Sequence, residues 1–459
     1  MELTKKEQIF EHYSIPKAVA TLSVPTVLSS LVMILYSLAD TYFVGLLNDP
    51  VQSSAVTLAS PILLAFNAVN NLFGVGGSSM MSRALGRKDY DTLRRSSAFS
   101  FYGSLIAAAV FSVLCTIFRQ PLLVIIGADS TTAVATSQYL NWTVTCGAIP
   151  AILNVVMGFL IRSEGSALHA SIGTMSGCFL NILLDPIFVL PWGFGMGAAG
   201  AALATFISNC FALAYFLVYV YVNRERTCVC ISPRAFSLRK NVVGGVFTVG
   251  IPAAIQNLLN VTGMTILNNF AAPFGTQALA AMGICSRINY VPLNLFFGLS
   301  QGIMPLVSYN YASGNIDRMK NTIYFTRRLA VTICVAMALV FFIFPEFMVR
   351  IFINDAGTIE YGKYLLRGFC LGMPFLCIDF IAVNTFQAVG MGKESLIFAI
   401  LRKIILEIPA LFVLNILFPL YGLAYAQAVA EVVLAIAGSL ILARFIKKQQ
   451  VRVAQQKQN

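Results

Sequence analysis

The sequence is poor in charge. Asp, Glu, Lys and Arg make up 11% of its 459 residues, where soluble domains carry about 25%. Too few charges are present to dress a soluble surface, and 58% hydrophobic residues exclude a disordered chain. Histidine is nearly missing: His12 and His169 are the only two, too few for a His-rich metal centre. Of ten cysteines, those at 115, 146, 178, 210, 285, 334, 370 and 377 sit in apolar runs, where Cys acts as a small hydrophobe. Cys228 and Cys230 form a lone CxC with no second pair nearby, so a four-ligand zinc site is not expected. Period-two alternation is absent, which argues against a transmembrane β-barrel. No catalytic constellation is seen, and an enzyme is not expected.

What the chain does have is long apolar runs. Twelve are read, near 18–46, 53–82, 96–118, 134–161, 168–190, 198–222, 243–272, 277–311, 322–345, 364–388, 395–418 and 422–443. Each reaches the ~20 residues a spanning helix needs. The expected fold is an all-α integral membrane protein of 12 transmembrane helices. The 31 Lys and Arg outnumber the 19 Asp and Glu, for a net charge of +12. Taking the connections alternately, 24 of the 31 cations fall at the N-terminus, the even-numbered connections with the span ends beside them, and the C-terminus. The odd-numbered connections hold Arg119, Arg350, Lys363 and Arg367, while Arg287, Arg402 and Lys403 lie inside spans. The positive-inside rule then places both termini in the cytoplasm. Because the basic residues alternate with spans, nucleic acid is not an expected partner; the lipid bilayer is.

The chain also repeats itself. Thr21-Leu-Ser-Val-Pro25 resembles Thr248-Val-Gly-Ile-Pro252, Gly86-Arg-Lys-Asp89 resembles Gly314-Asn-Ile-Asp317, and Pro150 matches Pro374. The near-constant offset implies two homologous six-helix lobes in a parallel, pseudo-twofold repeat. The expected division is a cytoplasmic segment 1–17, an N-lobe 18–222, a cytoplasmic linker 223–241, a C-lobe 242–443 and a basic cytoplasmic tail 444–459. Repeat-built bundles with a site between their halves suit secondary transport.

Five acids fall inside spans: Asp40, Asp185, Asp379, Glu407 and Glu431. Each costs at least ~2.5 kcal/mol at the bilayer centre, so each needs a cation, a proton or a partner. Asp40 lies about 22 Å along its helix from Pro25, toward the outer half. Asn181 and Asp185 are four apart and share a helix face. Pro186 donates no backbone hydrogen bond and frees a carbonyl beside them. Carboxylate, amide and carbonyl oxygens suit a proton or a hard cation. The alternative is a structural hydrogen-bonded pair. Asp379 and Glu407 are candidate second acids. Glu407 follows Lys403 by four residues and equally suits a structural ion pair. Asp379 has Arg287 or Arg402 as conceivable partners. Arg402 and Lys403 are expected to snorkel toward the cytoplasmic face, and Glu431 is a weaker candidate.

Two glycine patterns carry no nucleotide site. Gly195-Met-Gly-Ala-Ala-Gly200 matches GxGxxG but follows no strand, so close helix packing explains it better. Gly74-Val-Gly-Gly77 lacks a following Lys-Ser/Thr. No ATP-driven pump is therefore read, and any driving force is an ion gradient.

In order and spacing, these residues resemble the multidrug and toxic compound extrusion (MATE) family, in its MepA-like and DinF-like bacterial branches. The resemblance rests on Pro25, Ala39-Asp40-Thr-Tyr-Phe-Val-Gly45, Gly74-Val-Gly-Gly77 with Ser82-Arg-Ala-Leu-Gly-Arg-Lys-Asp89, Asn181-Ile-Leu-Leu-Asp-Pro186, Gly197 to Thr205, and Phe386-Gln-Ala-Val-Gly390. It implies a multi-pass protein of the bacterial plasma membrane that exports lipophilic organic cations, such as drugs and dyes, in exchange for H+ or Na+. No other cofactor is implied, and a monomer is expected. The family's coupling residues match Asp40, Asn181 and Asp185, with Ala201 (through its backbone) and Thr205. Na+, if it is the coupling ion, would sit at Asp40, Asn181, Asp185 and Thr205. Some members use a helix 7 glutamate, but here Val249 to Ala272 contains no acid. Candidate drug-cavity residues, expected between the lobes, are Tyr36, Asn154, Met157, Gln256, Tyr290 and Asn294. A lipid-linked oligosaccharide flippase of the same superfamily and a channel are the rival readings.

Overall fold

The computed structural model describes residues 5–458. Among the described residues every regular element is helical. The order is α1 (Lys5–Glu11), α2 (Ile15–Gly45), α3 (Pro50–Asn70), α4 (Gly76–Gly86), α5 (Tyr90–Ile117), α6 (Arg119–Ile125), α7 (Ala133–Leu140), α8 (Ala148–Ser163) and α9 (Ala167–Val189). Then come α10 (Ala198–Val222), α11 (Lys240–Ala271), α12 (Thr276–Ala312), α13 (Ile316–Ile343), α14 (Pro345–Arg350), α15 (Ala356–Val389), α16 (Gly392–Ile400), α17 (Ile408–Leu417) and α18 (Tyr421–Gln458). Helices dominate because a chain in hydrocarbon must satisfy each backbone N–H within its own segment.

Ten described helices are long and apolar enough to cross a membrane. The count is eleven if Ala133–Cys146 and Ala148–Ser163, bent by 50°, form one broken span. The expected twelve is therefore not reached by length and composition. The run near 395–418 explains the shortfall. It is split into α16, a π-helical turn Leu401–Glu407, and α17, and the turn carries Arg402, Lys403 and Glu407. At the C-terminal end α18 runs unbroken through Gln458.

Local signals set the boundaries. Asp49 caps α3 by accepting from the Val51 N–H at 2.9 Å, with Pro50 in the first turn where its missing N–H costs nothing. Asp89 and Asn315 each cap a 28-residue helix, α5 and α13. Pro25 and Pro252 lie inside α2 and α11, tolerated because spanning helices can re-satisfy the freed carbonyl locally.

The chain divides into two compact units. One holds residues up to Ile9 together with Leu28–Ala254; the other holds Phe10–Val27 and Ile255–Asn459. In the first, α9 and α10 pack side by side. At Gly177 an added Cβ would stand 3.0 Å from the Ala212 Cβ, so glycine allows the close approach. In the second, α15 packs against α12 and α18, around a core that includes Met282, Cys285, Leu366, Phe369 and Leu423.

A buried carboxylate cluster in the first unit

The site is built on three helices of the first unit. α2 carries Tyr36 and Asp40, α9 carries Asn181 and Asp185, and α10 carries Ala201 and Thr205. Asn181 and Asp185 are buried, at 1% and 0% exposure; Asp40 and Thr205 are half-buried. The hydrogen-bond network sets the Asn181 amide, whose two ends differ in role. Its NH2 donates to Asp185 Oδ2 at 2.8 Å. Its carbonyl accepts from the Thr205 hydroxyl at 3.2 Å and the Thr205 N–H at 3.1 Å. In an α-helix that N–H would serve the Ala201 carbonyl, so Asn181 competes for it. The Tyr36 hydroxyl lies 3.5 Å from Thr205 Oγ1.

Asp40 and Asp185 interact electrostatically with each other and with Tyr36 and Tyr139. Among the described residues neither carboxylate has a Lys or Arg at ion-pair distance. Two carboxylates in Coulombic range repel when both are ionised, and a proton or a cation relieves that repulsion. The four side chains Asp40, Asn181, Asp185 and Thr205 thus gather in one unit. Tyr139 of α7 was not singled out from sequence; it had no spacing or motif to mark it.

The acids of the second unit sit in a different setting. Arg402 forms ion pairs with both Asp379 and Glu431, the latter at 3.3 Å, and lies over the Phe380 ring at 4.7 Å. All three charged groups are buried. Lys403 pairs with Glu407 at 2.7 Å. Arg402 and Lys403 therefore do not snorkel: buried acids hold their heads. Arg287, on α12, is exposed and is not the partner of Asp379. Sequence spacing found the Lys403–Glu407 pair but not Glu431, whose partner lies 29 residues earlier.

The candidate cavity residues are spread over both units. Asn154 is buried and donates to Asn209 Oδ1 at 2.9 Å; Met157 is fully buried. In the other unit Gln256 accepts from Gln387 at 3.1 Å, Asn294 donates to the Tyr290 carbonyl at 2.8 Å, and Tyr290 is exposed. The literal GxGxxG is closed: the Ala198 N–H donates to Gln52 at 2.9 Å.

The MatE family model matches the chain twice, over residues 25–187 and 252–413. The chain belongs to the MatE family. The two matches begin 227 residues apart, 252 less 25, which is the offset separating Pro25 from Pro252. Among relatives, the multidrug export protein MepA of Staphylococcus saprophyticus is 34% identical over 442 residues, covering 95% of this chain and 96% of that protein. MepA of Staphylococcus aureus strain MRSA252 is 32% identical with the same coverage. Among solved structures, an outward-facing multidrug resistance MATE transporter of the MOP superfamily covers all of both chains with a TM-score of 0.90 at 24% identity. A MOP superfamily transporter from Pyrococcus furiosus gives 0.89 at 24% identity, covering 98% of this chain and all of that one. This MatE chain is a multi-pass protein of the bacterial plasma membrane, with the fold of those transporters.

Proposed function

We propose that this MatE protein is a secondary antiporter that exports lipophilic organic cations, drugs and dyes among them, in exchange for H+ or Na+ by alternating access. The observation that carries the reading is the Asp40, Asn181, Asp185 and Thr205 cluster, two carboxylates without an ion-pair partner among the described residues, in helices fit to cross a membrane. MepA relatives bear the name multidrug export protein, which gives the cargo class. Coupling needs only that ion and drug favour different conformations. A proton on either acid, or Na+ held by the carboxylate, amide and hydroxyl oxygens, lowers the local charge and re-sets the contacts of α2. Twelve spans are counted if α16 and α17 with their π turn make one crossing. Both termini then lie in the cytoplasm, with lobes 18–222 and 242–443, a linker at 223–241 and a monomeric transporter.

A lipid-linked oligosaccharide flippase is not favoured. Such proteins often carry fourteen helices and a cationic cavity, whereas Arg402 and Lys403 here are neutralised by buried acids. The test is ethidium efflux from proteoliposomes under separately imposed pH and Na+ gradients. One gradient should drive efflux in the wild type, and Asp40→Asn should abolish it while the protein is made and inserted normally. Full gradient-driven efflux by Asp40→Asn ends the proposal.

A further inference from the structure

The coupling cluster uses none of the cations at the end of α18. From Tyr421 to Ala443 this helix is apolar apart from Gln427, Ser439 and the buried Glu431, and then it turns basic. Lys447, Lys448 and Arg452 follow Arg444 by three, four and eight residues, so the four share one helix face. All four are exposed. Val451 and Gln455 continue this exposed face, and among the described residues it carries no acid. The opposite face is fixed to the second unit. Leu442 and Ile446 are buried, Phe445 stands 5.7 Å from the Tyr311 ring, and Gln450 donates to Asp317 at 2.7 Å. The cations are therefore held in register on a docked helix rather than strung along a loose tail. Among the described residues none of the four has an acid at ion-pair distance.

We infer that this face binds the headgroups of anionic phospholipids in the leaflet where α18 leaves the bilayer. The headgroup layer is about 5–7 Å deep on each side of the hydrocarbon. At 1.5 Å per residue, Arg444 to Lys448 rises about 6 Å, so three cations lie within that layer and Arg452 lies one turn beyond. The charges begin at the residue where the apolar stretch ends. Lipid phosphate is thus the anion they meet first, and a cluster of this size beside a span attracts it. Each cation near the surface contributes about 5-fold in affinity.

The test is lipid retention by the full-length protein, purified in a neutral detergent and analysed by native mass spectrometry. It is offered phosphatidylglycerol and phosphatidylcholine at equal concentration. The wild type should retain more phosphatidylglycerol. The variant R444Q/K447Q/K448Q/R452Q should lose that preference by more than tenfold with an unchanged melting temperature, since the four side chains face outward. The charge-conserving variant R444K/K447R/K448R/R452K should keep it. Equal retention of the two lipids by the wild type overturns the inference. So does a glutamine variant that still prefers phosphatidylglycerol, or a charge-conserving variant that loses the preference. Displacement of the lipid by equimolar inorganic phosphate would assign the face to free phosphate and overturn it too.

Discussion

Asn181 holds the carboxylate cluster of the first unit together. It bonds to both Asp185 and Thr205, so it ties α9 to α10. Replacing it by leucine keeps bulk and removes both bonds. Asp185 then loses a buried donor, which costs about 1–3 kcal/mol and more if the carboxylate stays ionised. Asn181→Leu should therefore lower ion-driven ethidium efflux at least tenfold, and its melting temperature should rise again where pH or Na+ neutralises Asp185. Melting and transport equal to wild type across pH and Na+ would show that the bridge does not matter. Part of this was legible in the sequence. A spacing of four residues and a following proline marked Asn181 and Asp185, because helix geometry is local. That Asn181 turns its carbonyl to Thr205 was not legible from spacing, because the two lie 24 residues apart and meet only when α9 and α10 pack. Tyr139 is the same case in a stronger form, an ordinary aromatic brought to the acids by tertiary contact alone.

Helices in this protein are pinned by charge as well as by apolar packing. In the second unit Arg402 joins α15 to α18 through Asp379 and Glu431. Its own backbone lies in the π turn Leu401–Glu407, the wide turn that splits the run near 395–418. Removing one partner of a buried pair is far costlier than removing the set. Arg402→Met should destabilise the protein by about 3–5 kcal/mol, read as a fall in melting temperature in detergent. The triple variant R402M/D379N/E431Q should recover most of that loss. Failure of the triple variant to recover would mean that packing by the guanidinium, not charge, is what counts. The linker is pinned in the first unit by Glu164. This buried carboxylate accepts from Ser166 at 3.1 Å, Tyr219 at 3.1 Å, Thr227 at 2.9 Å and the Cys228 N–H at 2.6 Å. Glu164→Ala should raise amide exchange at residues 227–230 by at least tenfold, while exchange in α9 stays as it was. Exchange unchanged at 227–230 would mean that other contacts, such as the Cys230 N–H on Ser97 at 2.9 Å, suffice. Around residues 223–241 the apolar runs stop where Arg and Lys begin. Nothing in the sequence hinted at Glu164 as an anchor, because Tyr219, Thr227 and Cys228 lie 55 or more residues away.

At the scale of the whole chain, the excess of cations predicts an orientation that can be tested apart from transport. The spans alternate with connections whose basic content alternates too, and a charge-sorted chain of this kind inserts with its basic loops inside. The repeat makes the argument stronger. Two family matches beginning 227 residues apart mean that the second half restarts on the side where the first began, provided each half crosses an even number of times. The ten or eleven apolar helices do not by themselves fix that parity, because the split run at 392–417 is counted only if its charged π turn lies within the bilayer. Labelling decides it. Ser130, in the turn before α7, should lie outside, whereas Glu225 in the linker and Ala454 near the end of α18 should lie inside; all three are exposed. Cysteine placed singly at each position should give a gel shift with a membrane-impermeant maleimide beyond that of the parent chain, which has ten cysteines of its own. In intact cells Ser130→Cys should shift, while Glu225→Cys and Ala454→Cys should shift only after the cells are opened. Labelling of Glu225→Cys and Ala454→Cys on opposite sides would give the second half an odd number of crossings. The run at 392–417 would then not span, and the parallel repeat would fail with it.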